Sequence, residues 1–573
     1  PKSKLQSIGT NALCATKVKS LYIPKGVTSW GQYAFGGNAE LTAVDLTANN
    51  NTVTSGGSAF YTTKHGGHEN ESDYALRVYY LSSEDAKDAL GSNAGYSIYA
   101  VTNGGTFKTL PEGNTTLAEP EKVGHEFAGW YTDAACTDGK ELTAAPQAGQ
   151  TYYAKWNKAD NDMAAGGYCG EDLTWKLYKN NTDATNPTYK LVIEGTGEMY
   201  DYAVSGSNIA PWRLDPSRMC DNITEISLPE GITSNNAFLK AGISTLTIPN
   251  GVTSIGENAI WNCVDPTDGN VSNVDITLPS SLKEIKTTGI FGKFTLNLNN
   301  ENTSFATTDR GKILYAKDMT KLIQVSQDYA TDNLVIPDTV TEIGDFALRS
   351  CDGITGAVTL PENVKSLGKK AFCGTKITSV ALDSNLEEIG KSAFFGLETL
   401  TGELVIPENV KEIGDSVFQE TGYSKVTFNA ENMPNNFMHK SPNLAEAVIS
   451  DNTKNIGANA FSKCPALEKV TLGNSIETIG NYAFEKSANL KEVTIPGSVR
   501  NINMLAFNQC TGLVKVTFEN GVENIGEGAF AGCTALKEIE LPESVKNVAY
   551  GAFAYNTNVE KVAVPLADVA YGK

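Results

Sequence analysis

Residues 490–510 read LKEVTIPGSVRNINMLAFNQC, and close variants of this pattern fill much of the chain. Its Ala-Phe pair returns every 23 residues, at Ala460-Phe461, Ala483-Phe484, Ala506-Phe507, Ala529-Phe530 and Ala552-Phe553. A fixed period of this length indicates a repeat architecture, in which each repeat is one structural unit packed against the next.

The spacing within one repeat predicts a short strand followed by a return path. Val493 and Ile495 are two residues apart, so in a strand their side chains point to the same side. Pro496 ends the strand because proline cannot donate to a sheet ladder. Val499 and Phe507 belong to the return path across the core. One unit cannot bury its apolar face alone, so this spacing and period predict a stacked leucine-rich-repeat solenoid with a parallel sheet.

Length and charge narrow the class of protein. A chain of 573 residues is too long for one compact core, which favours a solenoid or several domains. The net charge of −20 argues against nucleic acid and anionic membranes, since binding to both depends on Lys and Arg. No apolar run of about 18 residues occurs, so we expect no membrane insertion. Pro1 falls in mid-repeat and no signal peptide is visible, which favours a processed, mature chain over a cytosolic one.

The ten cysteines align with the repeat rather than with a disulfide framework. Five of them follow the Ala-Phe position by three residues: Cys263, Cys351, Cys464, Cys510 and Cys533. Small residues replace them in other repeats, so we expect buried free thiols in a turn. Two disulfides stay open as alternatives, Cys510 with Cys533 and Cys169 with Cys220.

Residues 1–95 contain a short array of the same repeats. Residues 62–73 interrupt the pattern with a polar loop, and a strand over 76–81 followed by a helix over 83–90 is expected to form a cap. Solenoids need such caps because their end repeats would otherwise expose the core.

Residues 96–157 depart from the repeat. The segments 96–101 (YSIYAV), 103–107 (NGGTF), 124–133 (GHEFAGWYTD) and 151–156 (TYYAKW) resemble the Listeria–Bacteroides repeat, the B-repeat module of internalin-type surface proteins. The resemblance implies a small β-grasp-like domain. An unrelated β-hairpin domain is the alternative.

Residues 168–573 form the long array. Its opening at 168–175 (YCGEDLTW) and its Ile-Gly-x-x-Ala-Phe repeats resemble BspA-like leucine-rich-repeat proteins, over most of residues 1–60 and 220–565. Residues 311–315, followed by Leu322 and Ile323, resemble a hairpin insertion of that family. The fold expected for the whole chain is therefore mainly β with short helical or irregular turns, as two solenoid arrays around a β-grasp-like domain.

One outward-facing column of the long array is the candidate binding surface. The residue before the first inward-facing strand residue alternates in sign over eight strands: Glu403, Lys425, Glu446, Lys469, Glu492, Lys515, Glu538 and Lys561. Equivalent residues on neighbouring strands lie side by side, so opposite charges stabilise the stack. The same column, on the concave face where repeat proteins usually bind, is also a candidate macromolecule-binding site.

Catalytic and metal-binding signatures are weak. The four histidines form no triad spacing, no G-x-S-x-G or phosphate loop occurs, and we expect no enzyme activity and no cofactor. His65 and His68 lie in a glycine- and acid-rich loop that could hold Zn²⁺ or Ni²⁺, although a solvated loop is favoured and no metal site is predicted. For the tryptophans Trp130, Trp156, Trp175 and Trp212, core packing is the expectation.

Resemblance to BspA-like proteins implies non-enzymatic adhesion at the bacterial cell surface or outside the cell. The implied partners are host extracellular-matrix or serum proteins or glycoproteins, and we expect the chain to be a monomer. Two alternatives remain open: a structural spacer that displays another domain, and a glycan-binding module that uses exposed aromatic rings. The fold alone does not choose between them.

Overall fold

The computed structural model has two compact units. One comprises residues 1–200, 211–219 and 226–229, and the other residues 201–210, 220–225 and 230–573. The structure describes residues 5–24, 26–38, 40–47, 54–55, 59, 76–81, 97–107, 109, 116–180, 187–200, 210, 212, 223–229, 243–261, 273–382, 385–564 and 570–571. The predicted helix over 83–90 and the His65–His68 loop lie outside these residues.

The first unit is built from short strands. They are β1 (Ser7–Ile8), β2 (Ser20–Tyr22), β3 (Ser29–Trp30), β4 (Ala43–Asp45), β5 (Thr54–Ser55), β6 (Leu76–Tyr80), β7 (Ser97–Val101), β8 (His125–Tyr131), β9 (Thr151–Lys158), β10 (Met163–Tyr168), β11 (Gly170–Lys179) and β12 (Tyr189–Met199). β1, β3 and β5 pair in parallel, and β10, β11 and β12 form an antiparallel meander.

One six-stranded sheet crosses the boundary predicted between residues 95 and 96. Its order is β2-β4-β6-β7-β9-β8, and every pair is parallel except β8 with β9. β6 pairs with β7 from Leu76–Ser97 to Tyr80–Val101. The first array and the segment predicted as β-grasp-like therefore share backbone hydrogen bonds. The division into domains 1–95, 96–157 and 168–573 stays a prediction.

The chain then passes through β13 (Ile223–Ser227) and the strands of the second unit. These are β14 (Thr245–Thr247), β15 (Ser254–Ile255), β16 (Ile260–Trp261), β17 (Asn273–Leu278), β18 (Glu284–Ile285), β19 (Ile290–Phe291), β20 (Lys293–Leu298), β21 (Phe305–Thr308), β22 (Ile313–Ala316), β23 (Lys321–Val325), β24 (Glu342–Ile343), β25 (Thr355–Thr359), β26 (Ser366–Leu367), β27 (Lys376–Ala381), β28 (Glu388–Ile389), β29 (Glu403–Ile406), β30 (Glu412–Ile413), β31 (Lys425–Phe428), β32 (Glu446–Ile449), β33 (Asn455–Ile456), β34 (Lys469–Thr471), β35 (Thr478–Ile479), β36 (Glu492–Ile495), β37 (Asn501–Ile502), β38 (Lys515–Phe518), β39 (Asn524–Ile525), β40 (Glu538–Glu540), β41 (Asn547–Val548), β42 (Lys561–Ala563) and β43 (Ala570–Tyr571). A short 3-10 helix covers Asp309–Gly311.

Successive coils of the second unit stack in parallel. The longer strands form the sheet β29-β31-β32-β34-β36-β38, and the short strands form β33-β35-β37-β39-β41-β43. β22 and β23 pair antiparallel, which confirms the predicted hairpin insertion. The mainly β solenoid predicted from the repeat is therefore confirmed for this unit.

A third ladder runs through the Ala-Phe turns. Phe484 N donates to Ala506 O at 2.7 Å, and Phe507 N donates to Ala529 O at 2.7 Å. The phenylalanine rings stack as well: Phe507 lies 4.9 Å from both Phe484 and Phe530, at interplanar angles of 8° and 4°. These rings are fully buried and fill the core opposite the strands, as the spacing predicted.

Glycine is needed where neighbouring coils approach most closely. A methyl group on Gly480 would lie 2.6 Å from the carbonyl oxygen of Ile456 in the preceding coil. A contact this short would force the two coils apart. The glycine of the repeated Ile-Gly dipeptide therefore sets the coil spacing at this turn.

Candidate functional site

The strand-face column comprises the eight alternating charges: Glu403, Lys425, Glu446, Lys469, Glu492, Lys515, Glu538 and Lys561. The structure pairs the first six in order on neighbouring strands and pairs Glu538 with Lys561 on a second sheet. β29 and β36 alternate between exposed and buried residues, so the charged side chain faces solvent while the next one enters the core.

Ion pairing along this column is uneven. Lys425 Nζ lies 3.1 Å from Glu403 Oε1, and Lys469 Nζ lies 2.8 Å from Glu446 Oε1. The hydrogen bond from Lys469 holds the pKa of Glu446 below its usual value. Lys561 Nζ lies near two carboxylates, 2.7 Å from Glu540 Oε1 and 3.6 Å from Glu538 Oε2.

The centre of the column is left without ion pairs. Within residues 385–564, neither Glu492 nor Lys515 lies within ion-pair distance of an opposite charge, although both side chains are exposed. A partner could therefore pair with either group without first displacing a neighbour from this chain.

A flat row of small residues runs beside the charges, two positions further along each strand. Val405 is 47% exposed, and Thr471, Thr494 and Thr517 are also exposed. Thr427 Oγ1 donates to Glu403 Oε1 at 3.2 Å, which joins the two columns. The result is a broad face of charge and small side chains.

A second charge column, which was not predicted from the sequence, is present in the structure. It follows the short strands, two residues before an inward-facing Ile, Leu, Met or Val: Lys365, Glu387, Lys411, Glu431, Lys454, Glu477, Arg500, Glu523 and Lys546. Its sign also alternates without exception. Glu523 binds both neighbours, Lys546 Nζ at 2.9 Å and Arg500 Nη1 at 3.2 Å. Reading this position once per repeat would have found it.

The second column shows that alternating charge also occurs where no binding surface was predicted. Glu477 N donates to Lys454 O and Arg500 N donates to Glu477 O, so the column follows the hydrogen-bonded edge of the stacked coils. Opposite charges on adjacent strands stabilise their pairing. Since two separate columns show the pattern, alternation by itself marks coil stacking and does not identify a binding surface.

The cysteine column is structural. Cys464, Cys510 and Cys533 are buried free thiols, and each donates to a carbonyl of the preceding coil, Cys510 to Phe484 O at 3.1 Å. Ser487 makes the equivalent bond to Phe461 O at 2.9 Å. Burial raises the pKa of Cys464 to about 12. The predicted buried thiols are confirmed here, and the Cys510–Cys533 disulfide is wrong.

The other cysteine predictions have mixed outcomes. Cys351 is buried and free as expected, whereas Cys263 lies outside the described residues. Cys169 is buried, but its predicted alternative partner Cys220 also lies outside them, so that pairing stays a prediction.

The tryptophan rings offer little surface to a glycan, whereas the side chains of Tyr550 and Tyr555 are 66% and 83% exposed. Trp130, Trp175 and Trp212 are buried, which confirms core packing. Trp156 is half-buried and its Nε1 donates to Thr102 O at 2.8 Å. In the described parts of the chain, no group of three or more His, Cys, Asp or Glu side chains could hold a metal ion.

Stacked coils with parallel ladders and a buried phenylalanine column define a leucine-rich-repeat solenoid. The family model for the BspA type leucine rich repeat region matches six copies, over residues 1–66, 218–267, 326–437 and 431–560. These ranges cover more than half of the chain, so the protein belongs to this family. They leave out 67–217, where the Listeria–Bacteroides resemblance stays a prediction.

Several solved structures are similar to parts of this chain at low identity. A leucine-rich repeat protein from Eubacterium ventriosum is 21% identical to this chain. The match covers 59% of this chain and 92% of the other one, with a TM-score of 0.38. The pneumococcal vaccine antigen PcpA is 17% identical, with coverages of 54% and 94% and a TM-score of 0.38. A leucine rich cell surface protein from Faecalibacterium prausnitzii is 17% identical, with coverages of 70% and 96% and a TM-score of 0.32. No curated protein matches the chain.

Within the described residues, no helix is long and apolar enough to cross a membrane.

Proposed function

We propose that this protein is a secreted or surface-displayed bacterial adhesion protein that binds a macromolecule through the strand-face column. Membership of the BspA-type family supports this proposal, since leucine-rich-repeat proteins typically act as non-enzymatic interaction scaffolds. The partner is a host extracellular-matrix or serum protein such as fibronectin or fibrinogen, or a glycoprotein. The chain binds it as a monomer and without a cofactor.

The observation that carries the proposal is the unpaired centre of the column. Glu492 and Lys515 are neighbours on paired strands, yet neither forms an ion pair within residues 385–564. Thr494 and Thr517 beside them are small and exposed, so a partner surface can approach closely. Solvent-exposed ion pairs within one chain contribute little to stability, whereas complementary charges across an interface speed association and add specificity.

The second charge column supplies a matched control. The triple variant K469E/K515E/K561E removes three of the four cations of the strand-face column, and K454E/R500E/K546E removes three from the second column. Both variants change the net charge by the same amount, and all six side chains are exposed. Circular dichroism and thermal unfolding would confirm that both variants fold.

Binding of the full chain to immobilised fibronectin and fibrinogen would then be measured at two salt concentrations. We expect the strand-face variant to bind at least about tenfold more weakly and the control to stay within about twofold. Equal losses in the two variants would show that only net charge matters. If the unmodified chain shows no saturable binding, the adhesion proposal fails and the spacer hypothesis replaces it.

The spacer hypothesis has one specific observation in its favour. The second column reproduces the alternation where no binding was predicted, and Lys411 and Lys546 both pair with a carboxylate of the preceding coil. A pure spacer needs nothing more than such stacking contacts. It predicts that neither triple variant changes binding to any macromolecule.

A further inference from the structure

The turns of the second unit hold a third charged column, the lysine column, formed by Lys440, Lys463 and Lys486. Each lies two residues after the core position occupied by Met438, Phe461 or Phe484. The turn ladder fixes their spacing, since Lys440 N donates to Ser462 O at 2.9 Å and Lys463 N donates to Glu485 O at 2.7 Å. Coils joined this way are about 4.8 Å apart, so three lysines follow one another at that interval.

The sign of this column does not alternate. Both other columns place an acid between every two cations, whereas here three exposed cations occupy successive coils. Like charges on neighbouring strands oppose stacking. The repeat therefore keeps an arrangement here that its own stacking disfavours, in a chain whose net charge is −20.

The acids nearby neutralise the column only in part. Lys440 Nζ lies 3.2 Å from Glu420 Oε1, and Lys486 Nζ lies 3.6 Å from Glu485 Oε1. Glu485 also accepts from Ser462 Oγ at 3.2 Å. Lys463, between the two, forms no ion pair within residues 385–564. The middle cation is left for an external anion.

Backbone conformation adds a second unusual feature. All three lysines are left-handed, with φ of 59°, 59° and 61°, where the equivalent residues in other coils include Gly374, Gly396 and Gly532. Glycine adopts this conformation without strain, and a lysine does not. Ser350, Glu420, Gln509 and Tyr555 also have a left-handed conformation at this position, so the strain is not special to lysine. What distinguishes this segment is the run of three cations that follows Glu420.

Uncharged polar groups lie beside the lysines on the same turns. Asn436 and Asn459 precede Lys440 and Lys463 by four residues, are part-exposed, and make no side-chain hydrogen bond within residues 385–564. Tyr482 occupies the next turn at the same position. Amides and a phenol suit a ligand rich in hydroxyl groups.

We propose that this turn face binds an acidic polysaccharide, whose sulfate or carboxylate groups pair with Lys440, Lys463 and Lys486 and whose hydroxyl groups bond to Asn436 and Asn459. A polymer with a charge on successive sugars fits a cation on successive coils. Nucleic acid fits less well, because its binding uses aromatic rings on which the bases stack, and the groups beside Lys440 and Lys463 on their turns are the amides of Asn436 and Asn459. This site lies on a different face from the strand-face column and does not depend on it.

The test measures binding of the full chain to dextran sulfate, polygalacturonate, neutral dextran and single-stranded DNA at several salt concentrations. Dextran sulfate carries sulfate groups only and polygalacturonate carries carboxylates only, so the two distinguish sulfate from carboxylate recognition. We expect one of them to bind saturably, with an affinity that falls as salt rises, and we expect neutral dextran not to bind. Failure of both acidic polysaccharides to bind would overturn the proposal.

Three variants locate the site. K440Q/K463Q/K486Q should weaken polysaccharide binding at least about tenfold and flatten its salt dependence, since released counterions scale with the number of contacts. K425Q/K469Q/K515Q removes the same charge from the strand face and should stay within about twofold. Equal losses would overturn the proposal. This control also separates the result from the adhesion proposal, which depends on the strand-face lysines.

N436G/N459G tests recognition of the sugar itself. Glycine tolerates the left-handed conformation of both residues, so the variant removes only the amides. We expect weaker polysaccharide binding without a change in salt dependence. Single-stranded DNA that binds as tightly as the polysaccharide, together with no effect of N436G/N459G, would show a general polyanion surface and contradict the proposal.

Discussion

Replacing single phenylalanines of the buried column by leucine tests how much ring stacking stabilises this solenoid. Phe507 is fully buried and faces two parallel rings, Phe484 and Phe530, each 4.9 Å away. Phe372 is equally buried in the same position of its own coil, but it stacks on one ring, Phe394, at 5.1 Å. Substitution by leucine keeps an apolar side chain at both positions and removes two stacks at one and one at the other.

The expected magnitudes follow from that difference. An aromatic pair contributes about 0.5–1.5 kcal/mol beyond the area that it buries. Phe507→Leu should therefore cost about 1–3 kcal/mol from stacking and Phe372→Leu about half as much, with a similar cost of changed shape added to both. The free energies of local opening should differ by about 0.5–1.5 kcal/mol, which corresponds to a roughly two- to tenfold difference in protection from hydrogen exchange.

Hydrogen exchange measured by mass spectrometry is the suitable assay, because a long repeat array need not unfold in one step. Peptides that cover the turns around residue 507 or residue 372 report the opening of each region. If Phe372→Leu loses as much protection as Phe507→Leu, stacking adds nothing to burial and the reasoning is refuted. Phe507→Ala, expected to cost about 3–5 kcal/mol, shows that the assay detects a loss at this position.

Three further predictions concern coil spacing, thiols and charge. Gly480→Ala should destabilise its coil more than Gly396→Ala, since a methyl group at Gly396 meets no atom within 4 Å and suffers only from its positive φ; thermal unfolding of both variants would compare them. Peptide mapping after alkylation should find Cys14 labelled in the folded protein and Cys510 labelled only after unfolding, because Cys14 is exposed and burial raises the pKa of the Cys510 thiol well above its usual value. Lys546 holds the pKa of Glu523 below the ordinary value of 4.5, so this pair stabilises the fold above about pH 4.5 and that contribution is lost as the pH falls through the lower folded pKa; the melting temperature of Glu523→Gln should therefore fall less on acidification than that of the unmodified chain.

The repeat itself could be predicted because its chemistry is periodic. Val493 and Ile495 enter the core, Pro496 follows β36, and Phe507 fills the opposite side, as the spacing required. Each position recurs every 23 residues, so an error in one repeat is corrected by its neighbours. The hairpin of β22 and β23 was also predicted, from residues that break the period in a recognisable way.

Strand pairing across the irregular connections could not be predicted in this way, because those segments carry no periodic pattern. The pairing of β6 with β7 joins strands that the sequence assigned to different domains. Parallel partners need a long crossover, and nothing local in either strand specifies the other. A change in composition between two segments therefore does not show that their sheets are separate.

The formation of individual ion pairs could not be predicted from the sequence either. The position of each charge follows from the repeat, but whether its side chain finds a partner depends on rotamers and on the neighbouring coil. Lys469 binds Glu446 while Lys515, at the same position two coils later, binds no acid within residues 385–564. Sequence gives the column, and only the structure shows which members are free to bind something else.

The difference between charges that are ion-paired and charges that are not indicates where on the array a binding site should be sought. A charge that alternates with its neighbours and pairs with them is accounted for by coil stacking, as Glu523 with Lys546 illustrates. A charge that forms no ion pair, or that repeats the sign of its neighbours, is not accounted for by ion pairing between coils and needs another explanation. Within residues 385–564, Lys515 forms no ion pair. Lys463 forms none either and also lies between two other lysines, on a different face. A partner bound at either site would supply the opposite charge that the adjoining coils do not, and its binding should therefore also raise the melting temperature of the array.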